Sequence, residues 1–450
     1  MKMKDFVKKN QSWICAIFSF FLFWVPLVRI VYINATHGLF LIDLAAYSDI
    51  SLILFKGNNP FPDHVDLLTL LPLQNDVPIV YPGQMLLFAL PGFLWGSAVQ
   101  ITYLLLNIGI VFFLTGLTLV KACGYHWDDL WKPGWKQLVY ALFCFCFFSS
   151  NNYLNTMRLG QIPVILALCI YLIFWGPSLR SLRTFLFAFV AVTKYSVLPV
   201  FAPLLFFKGY WKLCIAAFSL FVLLSISPVF CGNNLKEVYQ GYFEAVKVLF
   251  QPGSVNHFDR NPMMCHLGFS VFPGINIFMK AVAAAFILWL FWRERKTRYF
   301  SDTMLLLAFS LTMLTSYHAI HDMSLLFPLF FIRLFSFAKE KNWSCLGITT
   351  LFLLYLIIPG GPFIKVSSMI GALPGIGSVI ILANRPYGQE LYHVFPVTPF
   401  YSIALAVWSL YLYLRVKAPY RFVIPELISQ EKALPLPDIR ENLNSGSPVS

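Results

Sequence analysis

The sequence predicts an all-α fold, a polytopic membrane helical bundle, on three observations. First, 58% of the 450 residues are apolar and only 12% are charged, where soluble domains carry about 25% charge. A single soluble core stops growing near about 250–300 residues, so this much apolar surface needs a bilayer as part of its solvent. Second, aromatic residues make up 18% of the chain, with 46 Phe, which suits lipid-facing helices. Third, the formal charge of +13 comes from basic residues gathered in short clusters between apolar runs. Such clusters orient membrane proteins by lying in cytoplasmic loops. These features exclude a soluble enzyme, a secreted disulfide scaffold, a disordered chain and a nucleic-acid-binding protein. The nine Cys fall mostly inside apolar runs, Cys144, Cys146, Cys169 and Cys214 among them, with no CxxC or paired metal-ligand spacing. Neither disulfides nor zinc are implied.

Taken in order, the N-terminus MKMKDFVKKNQ holds four Lys and precedes an apolar run from Trp13 to about Tyr32. About twenty residues at about 1.5 Å each cross a hydrocarbon core of about 30 Å. A signal peptide has a shorter apolar core and a small-residue cleavage site. This run is therefore a first transmembrane helix with a cytoplasmic N-terminus. Residues 35–80 then lie outside, carrying five Asp and one Lys, Lys56. Between Tyr81 outside and Lys208 inside an odd number of crossings is needed. Five runs offer themselves: 84–97, 98–120, 138–150, 161–176 and 184–207. That assignment leaves Lys121, Lys132, Lys136, Arg180 and Arg183 outside, against the charge rule. Short re-entrant or broken runs would resolve the conflict.

From Lys208 and Lys212, residues 213–231 cross outward to a loop at 232–267, and 268–292 return to Arg293, Arg295, Lys296 and Arg298. Residues 302–317 go out, 322–338 come back to Lys339 and Lys341, and 343–358 go out to a Gly/Pro-rich loop at 359–398. Residues 399–416 return to Arg415, Lys417 and Arg421. The expectation is one transmembrane domain over residues 1–424 with about 12 helices and both termini cytoplasmic. The polar, Pro-rich segment 425–450 is expected to be a disordered cytoplasmic tail.

The outer loops carry the chemistry-bearing residues. In Asp43-Leu-Ala-Ala-Tyr47-Ser-Asp49, the residues Asp43, Tyr47 and Ser51 repeat every four positions and share one helix face. Leu44, Ile50, Leu52 and Leu54 are apolar, so an interfacial amphipathic helix follows the first span. Asp43 reads either as a solvated surface carboxylate or as a general base at the membrane surface, while Asp49 points elsewhere. Tyr81-Pro82-Gly83 opens the next run, and Gln161 starts another. Lys194 lies in an apolar stretch ahead of Pro199. It reads as a functional cation, with phosphate its natural partner, or as a snorkelling side chain. Ser254-Val-Asn256-His257 is a weak signal in an outer loop, and Arg385-Pro-Tyr-Gly-Gln-Glu390-Leu-Tyr-His393 has no specific role. His318, His321 and Asp322 stand at i, i+3 and i+4 before a helix, suited to substrate binding or catalysis, to plain interfacial solvation or, less readily, to a metal.

Together these stretches resemble the polyprenyl-phosphate-mannose-dependent α-mannosyltransferases of the GT-C superfamily of integral-membrane glycosyltransferases. Asp43-Leu44-Ala-Ala-Tyr47 matches that family's Asp-Leu-x-x-Tyr, and Gly57-Asn58-Asn59-Pro60-Phe61 its Gly-x-x-Pro-Tyr with Phe for Tyr. Tyr81-Pro82-Gly83 departs from its Tyr-Pro-Pro-Leu, Gly160-Gln161 matches its Gly-Gln pair, and Lys194 is present with its Pro at Pro199. His321 falls where the family has the first His of its late cluster and Asp322 where it has the second, with Pro328 anchoring the register. The resemblance spans about residues 12–335 and implies a GT-C type bundle. It also implies a polyprenyl-phosphate sugar donor and a glycolipid or glycan acceptor at the outer face of a bacterial inner membrane. Asp43 would be the base; Tyr47, Tyr81, Gln161, Lys194, Asn256, His318, His321 and Asp322 would bind substrate. Without an Asp-x-Asp pair in the first loop, no metal is expected. The alternative function is a transporter or flippase of lipid-linked sugars, which would favour internal repeats and midplane charges; no clear repeat is present.

Overall fold

The computed structural model describes residues 3–37, 42–59, 81–94, 97–150, 153–154, 156–157, 161–194, 197–249, 273–297, 299–315, 320–357, 384–387, 390–393 and 397–424. Helices dominate them. In chain order they are α1 (Met3–His37), α2 (Ile42–Phe55), α3 (Met85–Phe93), α4 (Ser97–Ala122), α5 (Trp135–Ser149), α6 (Pro163–Trp175), α7 (Arg180–Thr193) and α8 (Leu198–Leu205). There follow α9 (Trp211–Ser225), α10 (Leu235–Leu249), α11 (Pro273–Glu294), α12 (Asp302–Thr315), α13 (Phe327–Lys339), α14 (Trp343–Ile357) and α15 (Val397–Arg415). Among the described residues, Asn10–Tyr32, Ala98–Ala122 and Leu198–Cys231 are long and apolar enough to cross a membrane. Five further apolar helices are shorter.

The core is aromatic. Phe143 stacks on Phe331 at 4.3 Å and Phe147 on Phe327 at 4.4 Å, locking α5 to α13. Phe23 of α1 meets Phe112 and Tyr140 at 5.4 and 5.7 Å. Such pairs add about 0.5–1.5 kcal/mol each beyond the area they bury.

Polar contacts mark one end of the bundle. The Tyr420 hydroxyl donates to Lys121 O (3.1 Å) and accepts from Trp175 Nε1 (3.2 Å), and Tyr420 O accepts from the Asp302 amide at 3.0 Å. Lys208 Nζ bonds Glu294 Oε2 at 2.8 Å beside Thr297. Arg333 pairs with Asp302, both side chains essentially fully buried. The ends of α4, α6, α8 and α11 thus meet the start of α12.

Two predicted runs are built differently. Residues 84–97 do not form a span: α3 has nine residues, roughly 14 Å of rise, and its Met85 packs with Ile50 and Leu54 of α2 and Val238 and Tyr242 of α10. Residues 184–207 are not one helix either. α7 ends at Lys194, whose φ of −153° and ψ of 75° leave the helical region, and α8 restarts with Pro199 in its first turn. Phe201 of α8 packs on Phe187 of α7 and on Phe174 at the end of α6. Tyr210 beyond α8 packs against Phe300, which also touches Phe174. α8 therefore leads back to the end of the bundle where α7 began, and α9 then packs along α7. At Gly209 a φ of +89° turns the chain into α9, a conformation open to glycine at little cost.

Two small antiparallel ribbons qualify the all-α expectation. Phe300 pairs with Phe422 and Ser301 with Arg421, burying both Phe rings. Within the predicted loop 359–398, Asn384–Tyr387 pairs with Glu390–His393. The predicted loop 232–267 contains the helix α10. The signal overlooked was Asn234-Leu-Lys-Glu237, a helix-start pattern. Asn234 Nδ2 donates to Glu237 Oε1 at 2.7 Å, and Asn234 Oδ1 accepts the Lys236 amide at 3.1 Å.

Candidate functional site

The other end of the bundle is assembled from α2, the Pro82 turn and the ends of α4, α6, α7 and α9. α2 forms where an amphipathic helix was expected. Its polar stripe turns into the protein: Ser48 and Ser51 are buried, and Tyr47 is half-buried with its ring 5.3 Å from Phe88. Asp49 is exposed, and partial burial raises its carboxyl above the usual value.

Gln161 precedes α6 and is buried. Its Nε2 donates to the Tyr47 hydroxyl at 3.4 Å, and the Tyr103 hydroxyl donates to its carbonyl. Two residues separated by 114 positions in sequence and singled out independently are thus in contact.

The Pro82 turn is clamped on two sides. The Tyr81 ring stacks on Phe221 at 5.8 Å, and its hydroxyl shares a hydrogen bond with Ser225 Oγ at 2.9 Å. Tyr239 of α10 donates to Ser225 O at 2.7 Å; burial and the neighbouring Tyr81 push its phenol pKa up, so it stays a donor. Gln84, which sequence reasoning missed, is buried and reaches the end of α7. Its Nε2 donates to Val192 O (3.0 Å) and Thr193 O (2.8 Å), and its Oε1 accepts the Tyr81 amide (3.2 Å). No local pattern announces such a bond, because its partners lie 108 and 109 residues away.

Between these elements lies an apolar cavity of about 540 Å³. Leu44 lines it from α2, Leu87 and Phe88 from α3, Thr102 and Tyr103 from α4, Ile162 beside α6, and Phe189 and Thr193 from α7. A second groove of similar size shares Thr102 and Leu106 with it and continues along α4 past Gly109 to Phe113. Leu105 and Leu106 on this path are exposed, as lipid-facing side chains are. Three walls of the cavity continue within one residue into a predicted site residue: Leu44 into Asp43, Ile162 into Gln161, Thr193 into half-buried Lys194.

Asp43 lies in the first turn of α2, and His321 and Asp322 in the 3₁₀ helix Ile320–Leu326, which Tyr171 holds through its bond to Leu325 O at 2.9 Å. The side chains of these three residues lie outside the described residues, as do Asn256 and His318 altogether.

A family model described as Glycosyltransferase family 87 matches residues 80–317, slightly more than half of the chain. The match takes in Tyr81, Gln161, Lys194 and Asn256 and stops just before His318. Comparison with curated proteins and with solved structures gives no match.

Proposed function

The chain belongs to glycosyltransferase family 87, and from that premise we propose that it moves a hexose, mannose first among candidates, from a polyprenyl-phosphate sugar to a glycolipid or envelope glycan. The observation that carries the reading is the apolar cavity and groove rimmed by residues next to Asp43, Gln161 and Lys194. An isoprenoid chain lying there leaves its phosphate and sugar at the polar rim. Lipid tails gain little hydrophobic free energy on leaving a bilayer for such a groove, so the groove orients the donor more than it binds it.

The break at Lys194 supports one sidedness for the site. Counting α1, α4, α5, α6, α7, α8 with its continuation Phe206–Tyr210, α9, α11, α12, α13, α14 and α15 as crossings, and α2, α3 and α10 as interfacial, again makes twelve. Lys121, Lys132, Lys136, Arg180 and Arg183 then share the inner face with Arg415 and Lys417, as the charge rule asks. Contacts of Tyr420 with Lys121 and Trp175 support that grouping. Both termini are inside, and the cavity opens toward the periplasmic face of a bacterial inner membrane.

In the reaction, Asp43 takes the proton of the acceptor hydroxyl. The acceptor oxygen bonds to the anomeric carbon from the face opposite the phosphate. The carbon–oxygen bond to the phosphate breaks, its electron pair leaves on polyprenyl phosphate, and the configuration inverts. Lys194 and His321 stabilise the charge that develops on the departing phosphate, while Tyr47, Tyr81, Gln161, Asn256, His318 and Asp322 shape the sugar and acceptor pockets. No metal is required.

The test is transfer in proteoliposomes given radiolabelled polyprenyl-phosphate-mannose and a crude lipid extract. Wild type and Asp49→Asn are expected to make a labelled product, and Asp43→Asn none. Donor crossing the bilayer without product in all three proteins would point to a transporter. Equal loss in both variants would remove Asp43 as the base.

A further inference from the structure

We propose that Gln84 is a positioning residue for Lys194, and so sets the affinity of the site for the donor phosphate. The inference rests on the reading that Lys194 meets that phosphate. A helix end leaves its last carbonyls without intrahelical partners, and a buried carbonyl must find one. α7 ends inside the bundle with no left-handed glycine to close it. Instead the chain departs at Lys194 in an extended conformation. Gln84 supplies the missing donors: both hydrogens of its amide nitrogen meet the carbonyls of Val192 and Thr193, the two residues before Lys194. Its amide oxygen is held by the Tyr81 N–H. The amide cannot be turned over, because that would set oxygen against two carbonyls and nitrogen against an N–H donor.

The position is specific to an amide of this length. Leu at this position would offer no donor, and Asn is one methylene short. Gly83, where that family has Pro, lets the turn lie against α9: a Cβ there would stand 3.2 Å from Ser225 Cα. Gly83 and Gln84 therefore act together. One brings the turn close to α9, and the other uses the approach to fix the break from which Lys194 leaves α7.

The experiment is a double-mutant cycle on the full-length protein in lipid, read as binding of a polyprenyl phosphate and as the donor KM against kcat. Gln84→Leu is expected to weaken polyprenyl-phosphate binding about tenfold, and to lower kcat/KM for the donor with acceptor KM nearly unchanged, because Lys194 also meets the phosphate as its charge develops. On a Lys194→Ala background the same substitution is expected to add almost nothing, because its effect passes through Lys194. If Lys194→Ala binds polyprenyl phosphate as tightly as wild type, the reading of Lys194 fails, whatever Gln84 does. If Lys194→Ala binds weakly but Gln84→Leu binds normally, or the two losses add in full, the positioning role is overturned. Should Gln84→Leu not fold, Gln84→Met keeps the length and volume without the donors. Misfolding of both variants would make Gln84 purely structural and overturn the proposal.

Discussion

Gly83→Ala probes the tightest joint of the site. An added Cβ would stand 2.8 Å from Tyr81 Cε1 and 3.2 Å from both Tyr81 Cδ1 and Ser225 Cα. Something must give. If the Tyr81 ring tilts, its 2.9 Å bond to Ser225 Oγ and its stack on Phe221 are lost. The bond is worth about 1 kcal/mol and the stack about 0.5–1.5 kcal/mol. If α9 shifts instead, overpacking costs about 1–3 kcal/mol. Against this, replacing glycine restricts the unfolded chain, a gain of about 0.4–1 kcal/mol. The net expectation is a loss of about 1–2 kcal/mol. The assay is reversible chemical unfolding of the purified protein in mixed micelles, comparing midpoints. A second arm separates the two routes. On a Tyr81→Ala background the ring contacts are gone, and the penalty of Gly83→Ala is expected to fall to what Ser225 alone imposes. A Gly83→Ala protein as stable as wild type would refute the close-approach argument. A penalty that persists undiminished without the ring would refute the part assigned to Tyr81.

At the opposite end, Arg333→Met leaves the buried Asp302 carboxylate facing no cation, and a stability loss of about 3–5 kcal/mol is expected. The double variant Asp302→Leu/Arg333→Met is expected to recover most of it, and a single variant as stable as wild type would contradict the burial of the pair. The placement of Arg180 and Arg183 is tested at Ser178, exposed in the turn between α6 and α7. A Ser178→Cys thiol is expected to resist a membrane-impermeant reagent in intact cells and to react after permeabilisation. Labelling in intact cells would return that turn to the outer face.

Much of this protein was legible in its residues. Apolar runs near 98–120, 138–150, 161–176 and 343–358 became α4, α5, α6 and α14 within a few residues, because backbone in lipid must satisfy its own hydrogen bonds and a long apolar run can do so only as a helix. A helix after α1 was legible for a similar reason, its four-residue repeat being a local pattern, but the expected amphipathic character was not borne out: its polar stripe is buried in the protein. The conflict with the charge rule was legible too, as five basic residues on the wrong side. That a short or broken run would ease it was legible as well; which run breaks was not. Hydropathy sees 184–207 as one run because it measures apolarity and not the backbone angles of Lys194 or the packing of Phe201 back onto Phe187. The family match extends over 80–317, yet the motif residues inside it say nothing of Gln84, whose partners are remote in sequence. Composition and periodicity thus determined that the chain is a helical membrane protein with its polar residues gathered between apolar runs. Only the tertiary structure decided that Tyr47 meets Gln161, that a cavity lies between them and Thr193, and that a glutamine closes the helix ahead of Lys194. Those contacts depend on which helix ends the packed core brings together, and no local stretch of sequence contains that information.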